Sequence, residues 1–337
     1  MKKIINDPEE VVEETIEGIL KAYPGHLKRA EGSDRGLMRS DAPLEGKVGI
    51  ATGGGSGHIP VFLGYLGPGL ADGVSIGNVF SSPSAQEMLA VTKAIDGGEG
   101  VLYIYGNYSG DVMNFDMAAE MASMEDIPVE STVVTDDVAS SPPEEKDDRR
   151  GIAGLFYVYK LAGAKAEERA SLDEVKRIAD KTNENVRSMG VALSPCTIPE
   201  AGEPTFSIGE NEMEIGMGIH GERGIEREEL RPADEIAADM MERIIEDLPF
   251  ERGDQVSVLV NGLGATPPEE LFILYRKVDE ILRSEGIEIY KSFVGEYATS
   301  MEMKGASITL LRLDEELREL LDKPYHSPFL PQDPLEE

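Results

Sequence analysis

A formal net charge of −33 over 337 residues argues against a protein that binds nucleic acid or an anionic membrane, because their phosphates would be repelled. Apolar residues make up 40 % of the chain, yet no apolar run approaches the roughly 18 residues of a spanning helix. The single cysteine, Cys196, excludes an intrachain disulfide and a cysteine metal cluster. We therefore expect a protein with a large core, located in the cytoplasm.

The first predicted elements are a helix and a short strand. Residues 9–22 carry apolar side chains at helical spacing, with Asp7 as the predicted N-cap and Pro8 at the first helical position. Residues 47–52 resemble a short buried strand, which leads into a predicted glycine-rich loop at residues 53–58. In an α/β sheet, a loop at the end of a strand lies where ligands bind.

The next elements alternate between helix and strand. Residues 85–95 and 111–123 have helical periodicity, whereas 100–105 and 129–135 are apolar strands. Strands joined through helices in this way favour two α/β domains with mixed, largely parallel sheets. A surface loop is predicted at residues 136–150.

Two helices follow this loop, at residues 152–168 and 171–189, and we place a domain boundary near residue 180. The N-terminal domain would span residues 1–180 and contain the glycine-rich loop. The C-terminal domain would span 181–337 and contain His220.

The C-terminal half continues the alternation. Residues 255–260 and 307–313 are predicted strands, and a helix is predicted over 268–284 with Thr266 as its N-cap. The proline-rich segment 326–337 is expected to lie extended on the surface.

Two of the four histidines, His58 and His220, lie in glycine-rich segments. An imidazole held in such a segment can serve as a base, an acid or a nucleophile near neutral pH. The segment before His58 lacks the spacing of a phosphate-binding or dinucleotide-binding loop, and a tight turn with a polar histidine is the alternative interpretation. These histidines are too few and too scattered to predict a metal site.

Asp111 follows the predicted strand 100–105, at the start of a helix. Capping of that helix is the commonest role of an aspartate at such a position. The alternative is a general base beside a bound ligand.

Several long motifs occur together and in order along essentially the whole chain, and they resemble the K-type, substrate-binding subunit of dihydroxyacetone kinases. They comprise residues 53–58, 107–111, 211–214, 218–222, 263–267 and 307–311. The resemblance implies the dihydroxyacetone kinase K-type fold and a glycerone kinase activity.

The resemblance also implies a covalent mechanism. His220 would attack the ketone of a short ketose through a ring nitrogen and form a hemiaminal. This adduct selects ketoses and aldehydes over glycerol, which has no carbonyl group. His58 would hydrogen-bond the substrate and assist proton movement.

Further residues are implied to serve transfer and binding. Asp111 would accept the proton of the terminal hydroxyl as it attacks phosphorus. Gly55, Ser56 and Gly57 would hold the substrate through backbone and hydroxyl contacts.

The resemblance places the nucleotide elsewhere. An L-type subunit would carry ATP, or ADP recharged by a phosphotransferase-system protein, together with Mg²⁺. This chain would bind the small ketose, hold no cofactor or metal of its own and form a homodimer.

One position departs from the family pattern. The family commonly has a lysine directly before the Asn-Tyr-x-Gly-Asp motif, and here that substrate-contacting position is Gly106. Loss of an ammonium group removes a donor and opens space, which favours a larger ketose such as erythrulose. Ile59, where glutamate is frequent, makes the neighbourhood less polar.

Two other functions remain open from the sequence. A ligand-sensing regulator would keep the ketone adduct without phosphoryl transfer, and the presence of Asp111 favours the enzyme over it. A nicotinamide-dependent dehydrogenase would fit an α/β pattern, but the chain lacks the GxGxxG spacing.

Overall fold

Two six-stranded sheets with helices on both faces form the framework of the protein, and the computed structural model describes residues 2–330. The strands are β1 (Leu27–Arg29), β2 (Gly36–Arg39), β3 (Gly49–Ser56), β4 (Gly73–Val79), β5 (Val101–Gly106), β6 (Val129–Val134), β7 (Val186–Ser194), β8 (Glu212–Ile215), β9 (Glu226–Glu229), β10 (Gln255–Gly262), β11 (Glu288–Gly295) and β12 (Lys304–Leu313). The α-helices are α1 (Val11–Ala22), α2 (Ala85–Ile95), α3 (Ser109–Ser123), α4 (Leu155–Glu167), α5 (Leu172–Asn185), α6 (Ala233–Asp247), α7 (Pro268–Glu285) and α8 (Glu315–Asp322).

The first sheet has the strand order β1-β2-β4-β3-β5-β6, and its β4, β3, β5 and β6 are parallel neighbours. The carboxyl ends of these four strands therefore meet at one edge of the sheet, where α/β proteins place their ligands. The predicted α/β class and the largely parallel character are confirmed for this half.

The second sheet has the order β11-β10-β12-β7-β8-β9, and only its β10–β11 pair is parallel. The mixed character is confirmed, but the expected parallel majority is wrong for this half. Parallel neighbours need a crossover of a dozen or more residues, and the short segment 216–225 between the neighbours β8 and β9 has no helix.

The elements stack in five layers. Helices α2 and α3 cover one face of the first sheet, and α4 and α5 lie on its other face, between the sheets. Helices α6 and α7 cover the outer face of the second sheet. One apolar cluster joins the halves through side chains such as Leu102, Tyr157 and Phe293. Across residues 2–330, every helix is too short or too polar to cross a bilayer.

Most element boundaries agree with the sequence predictions. Helix α2 has the predicted bounds, and Asp7 accepts a hydrogen bond from Glu9 at the start of the first helical segment. The predicted helix 171–189 is wrong beyond Asn185, where β7 begins. Val186 and Met189 are three residues apart, as in a helix, and both are buried in a strand between two layers.

Thr266 is not the N-cap of α7. Its hydroxyl donates to the backbone carbonyl of Gly305 and accepts from the Gly305 amide, so it ties this turn to β12. The helix begins at Pro268 without a side-chain cap. A β partner distant in sequence has thus replaced the local interaction that the capping pattern predicts.

Residue 180 lies inside α5, and the chain passes to the second sheet only at Val186. Helix α8 returns to pack on α4 in the first half. Division at 180 stays a prediction. The segment 326–337 was predicted to lie on the surface, but its first residues pack into the protein. Ser327 and Leu330 are buried, and the Ser327 hydroxyl donates to the Gly64 carbonyl. The rest of that segment lies outside the described residues.

The sequence predicted a loop at residues 53–58, and this is wrong for the glycine run 53–55, which lies inside β3. A Cβ on Gly53 would lie 2.8 Å from the Ser75 carbonyl oxygen, and one on Gly54 would overlap the Phe62 ring. The run therefore serves close packing around a buried strand. The turn begins only at Gly57, whose φ of 101° favours glycine.

We expect Gly54→Ala to destabilise the protein by about 1–3 kcal/mol, because the added methyl group would press on the Phe62 ring in a filled core. Thermal unfolding followed by circular dichroism measures the effect. Gly18→Ala in α1 is the matched control, since no heavy atom lies within 4 Å of its added methyl group. That control should gain about 0.5–1 kcal/mol from helix propensity. Equal unfolding temperatures for wild type and Gly54→Ala would contradict the packing argument.

Candidate active site

The site lies at the carboxyl edge of the parallel strands, where β3, β4 and β5 lead into the segments that contain His58, Phe80 and Asp111. The second half contributes two loops. Residues 216–225 connect β8 to β9 and contain His220, and residues 296–303 connect β11 to β12. The structure thus brings together the three predicted catalytic residues from segments far apart in sequence.

The carboxylate of Glu222, two residues after His220 in the chain, holds the histidine in place. Its ring Nδ1 lies 2.7 Å from Oε1 of Glu222, and its backbone amide donates to Oε2 of the same carboxylate at 2.9 Å. Burial favours the neutral acid, but hydrogen bonding and charge from His220, with the charge of Arg150, lower the pKa of Glu222 to about 2. The carboxylate is therefore ionised and accepts the Nδ1 proton. In the neutral form of the ring, the lone pair is therefore on Nε2.

His58 is fully buried behind His220. Its Nδ1 lies 2.7 Å from the Thr299 carbonyl oxygen, which can only accept, so Nδ1 carries the proton. Burial, followed by the charge of His220, lowers the pKa of His58 to about 3, and the ring is neutral. Its Nε2 is buried without a hydrogen-bond partner.

Aromatic rings enclose the two histidines. The centroids of His58 and His220 are 4.6 Å apart with the rings nearly perpendicular, and Tyr108 meets His220 at the same distance and angle. Phe80 stacks on His58 at 4.7 Å. Phe80 has a φ of 58°, a left-handed conformation that persists only where packing holds it. The aromatic rings thus form a closely packed environment of low polarity around the two histidines.

Asp111 lies in the first turn of α3 and is only 4 % exposed. Burial raises its pKa to about 6, although Ser82 and the charge of His220 act in the opposite direction. Its Oδ1 is buried without a partner. Two unpaired buried acceptors, Oδ1 of Asp111 and Nε2 of His58, are thus present at one site, and such atoms call for a ligand or a water molecule.

The predicted substrate-binding glycines lie close by. Gly57 follows β3, and a Cβ on it would lie 2.8 Å from the Phe80 ring. Gly55 and Ser56, at the end of β3, line a small cavity of about 20 Å³ next to α1. Their role in binding stays a prediction.

Gly106 does not open free space, in contrast to the expectation from the missing lysine. A Cβ there would lie 3.0 Å from the Tyr108 ring and 3.1 Å from the Gly151 carbonyl oxygen. The Tyr108 hydroxyl donates to that same carbonyl at 3.1 Å, which fixes the ring against the glycine. The Tyr108 ring and the Gly151 carbonyl therefore leave no free space at the Cβ position of residue 106.

Sequence reasoning missed Glu222, Tyr108, Phe80 and Thr299 as parts of the site. Glu222 and Tyr108 fall within motifs that carry the family resemblance, which was the available signal. Thr299 contributes only a backbone carbonyl, and its contact with His58 spans 241 positions, so no local pattern could reveal it. Within residues 2–330, no cluster of three or more His, Cys, Asp or Glu side chains is arranged to hold a metal ion.

The fold and the site define an α/β protein that brings two imidazoles and a buried carboxylate together at the carboxyl edge of a sheet. The Dak1 domain matches residues 17–329, and the chain belongs to this family. The resemblance read from the motifs is confirmed, and so is the assignment to a family of kinases.

The chain is similar to three proteins of known name. It is 47 % identical to the dihydroxyacetone-binding subunit DhaK of PTS-dependent dihydroxyacetone kinase 2 from Listeria innocua, over 99 % of this chain and 100 % of that protein. It is 40 % identical to an L-erythrulose 1-kinase from Mycolicibacterium smegmatis, over 97 % of this chain and 58 % of that longer protein. It is also similar to the solved structure of a dihydroxyacetone kinase from C. freundii in complex with AMP-PNP and Mg²⁺, with a TM-score of 0.89 and 32 % identity. The match spans 100 % of this chain and 62 % of that longer one.

Proposed function

We propose that this chain is the ketose-binding subunit of a dihydroxyacetone-type kinase and that it holds its substrate covalently on His220. The observation that carries the proposal is the His220–Glu222 pair, in which Nδ1 donates to the carboxylate and the lone pair of the neutral ring is on Nε2; the ring itself lies next to His58. A neutral imidazole oriented in this way is a nucleophile.

The covalent step joins Nε2 of His220 to the carbonyl carbon of the ketose. The π pair of the carbonyl moves onto its oxygen, which takes up one proton. The matching proton leaves Nδ1 through the Glu222 carboxylate, so the hemiaminal is neutral and the step reverses without another reactant. An imidazole adduct cannot lose water to a neutral imine, and it therefore remains tetrahedral.

His58 and Asp111 serve different hydroxyl groups in this mechanism. Because Thr299 fixes the His58 proton on Nδ1, its Nε2 accepts a hydrogen bond from a hydroxyl of the bound substrate and orients the ketose. Oδ1 of Asp111 accepts the proton of the terminal hydroxyl as that oxygen attacks phosphorus. A base whose pKa lies near the operating pH suits this role.

A neutral short ketose fits the site best. The enclosing rings and the acidic chain both disfavour an anionic ligand. Dihydroxyacetone is named for the Listeria relative and erythrulose for the mycobacterial one. Since the Tyr108 ring occupies the volume beside Gly106, we favour dihydroxyacetone over erythrulose.

The phosphoryl group comes from a second protein in this proposal. An L-type subunit would carry ATP, or ADP recharged by a phosphotransferase-system protein, with Mg²⁺, and the names of the relatives support this. The chain itself would act as a homodimer in the cytoplasm.

Reconstitution with a purified L-type subunit tests the proposal. With ATP or with the phosphotransferase components, we expect phosphorylation of dihydroxyacetone, slower phosphorylation of erythrulose, and none of glycerol, because glycerol has no carbonyl to bind. Coupled product assays measure all three. Glycerol turnover equal to that of dihydroxyacetone would exclude the covalent mechanism, and a lack of turnover with both donors would exclude the kinase.

A further inference from the structure

Arg150 is a buried cation that the proposed mechanism does not use. Its Nη2 lies 2.8 Å from Oδ2 of Asp137 and donates to the backbone carbonyl of Gly216 at 3.0 Å. Its Nε also donates to Asp137. Asp137 belongs to the segment that follows β6, whereas Gly216 begins the loop that contains His220. The guanidinium thus joins the two halves at the site.

The remaining nitrogen of Arg150 lies next to the partner of His220. A Cβ built on Gly218 would lie 2.7 Å from Nη1 of Arg150 and 2.9 Å from the carboxyl carbon of Glu222. The guanidinium and the carboxylate therefore flank the same backbone carbon, where only a glycine fits. In the low-polarity surround, a cation at this range stabilises the ionised carboxylate.

We propose that Arg150 is a positioning residue for the covalent step, which acts by balancing the charge of Glu222 and holding it in place so that His220 keeps its nucleophilic lone pair. It never touches the substrate. This inference rests on the proposed function. Other titratable groups interact with Arg150 or Glu222. Asp137 and Tyr108 act on Arg150, and His220, His58 and Tyr108 interact with Glu222.

The neighbouring Arg149 provides a matched control. It is also buried and also fixes this segment to the second half, through Nη1 and Nη2 on the carboxylate of Asp247. It therefore shares the structural role of Arg150 and lacks the contact with the Glu222 region. A general loosening of the segment would appear in both variants.

The experiment measures adduct formation with dihydroxyacetone against pH by intact mass, in wild type, Arg150→Gln, Arg150→Lys and Arg149→Gln. Because the pKa of Glu222 is about 2, Glu222 stays ionised across the assay, and the acid limb of adduct formation reflects protonation of His220 at the nitrogen that attacks the ketone. Without Arg150 the negative charge of Glu222 is unbalanced and favours that protonation, so adduct formation in Arg150→Gln should fail at higher pH than in wild type. We expect its acid limb to move up by on the order of one pH unit, which weakens the adduct about tenfold on that limb. Arg150→Lys keeps the charge and should restore most of the limb.

Arg149→Gln should unfold at a lower temperature and leave the acid limb where wild type has it. A double-mutant cycle adds a second measurement, since Arg150→Gln in a Glu222→Gln background should cost nothing further in adduct affinity. An unmoved limb in a folded Arg150→Gln or Arg150→Lys protein, or full additivity in the cycle, would overturn the inference. An absence of adduct in wild type would instead overturn the proposed function.

Discussion

Replacing His220 by alanine will abolish the labile mass increase that the protein shows with dihydroxyacetone. The Nε2 atom that forms the bond is removed, and the other imidazole, His58, is held in a different position by its hydrogen bond to the Thr299 carbonyl. Phosphorylation of the ketose should fall on the order of 10³-fold or more, because the adduct holds the reacting hydroxyl in position. Intact-mass spectrometry and the reconstituted assay measure the two effects.

The surface residue His26 provides the control for this substitution. It is exposed and lies beside His326, far in the fold from the enclosed rings. His26→Ala should therefore keep both the adduct and the activity. Retention of a full adduct in His220→Ala would show that the ketose bonds elsewhere and would remove the mechanism.

Asp111→Asn will separate binding from transfer. The amide keeps the size of the side chain but cannot accept a proton, so the variant should form the hemiaminal and lose phosphorylation by about 10²–10⁴-fold. Asp116→Asn, on the exposed side of the same helix, is the matched control and should transfer at the wild-type rate. Full activity in Asp111→Asn would exclude the proposed base.

The pH dependence of transfer follows from the buried position of Asp111. The carboxylate is the active form, and burial raises its pKa to about 6. Transfer should therefore be constant above that value and fall as the pH drops through it, because protonation removes the base. The variant should lack this limb. A wild-type protein that forms the adduct but transfers nothing at any pH would be a ketose sensor.

The sequence predicted the local elements well wherever a single periodicity decided them. Helix α2 has the predicted ends because its apolar face and its Ser84 cap are both local features. The predictions were wrong where contacts between distant segments determine the local structure. The glycine run was assigned to a loop because glycines favour turns, yet Gly53 and Gly54 serve a strand pressed between neighbours.

For the site, the sequence indicated which residues to consider but not the contacts that determine their chemistry. His58, His220 and Asp111 stood out as polar residues in glycine-rich loops of a chain with few histidines, and the fold brings them together. The chemistry of each depends on partners that spacing does not reveal. The carbonyl of Thr299 fixes the His58 tautomer, and the Tyr108 ring packs against the Cβ position of residue 106, where the missing lysine predicted open space.

The loop between β11 and β12 touches both histidine segments at once. Its Met301 amide donates to the Gly57 carbonyl, its Thr299 carbonyl accepts from His58, and its Ser300 hydroxyl donates to the Ile219 carbonyl. Neither half of the polypeptide therefore contains a complete centre by itself. Contacts of such large sequence separation form late, after the intervening chain has been ordered. Capture of a ketose thus reports that the whole molecule, down to its last strands, has reached the native state.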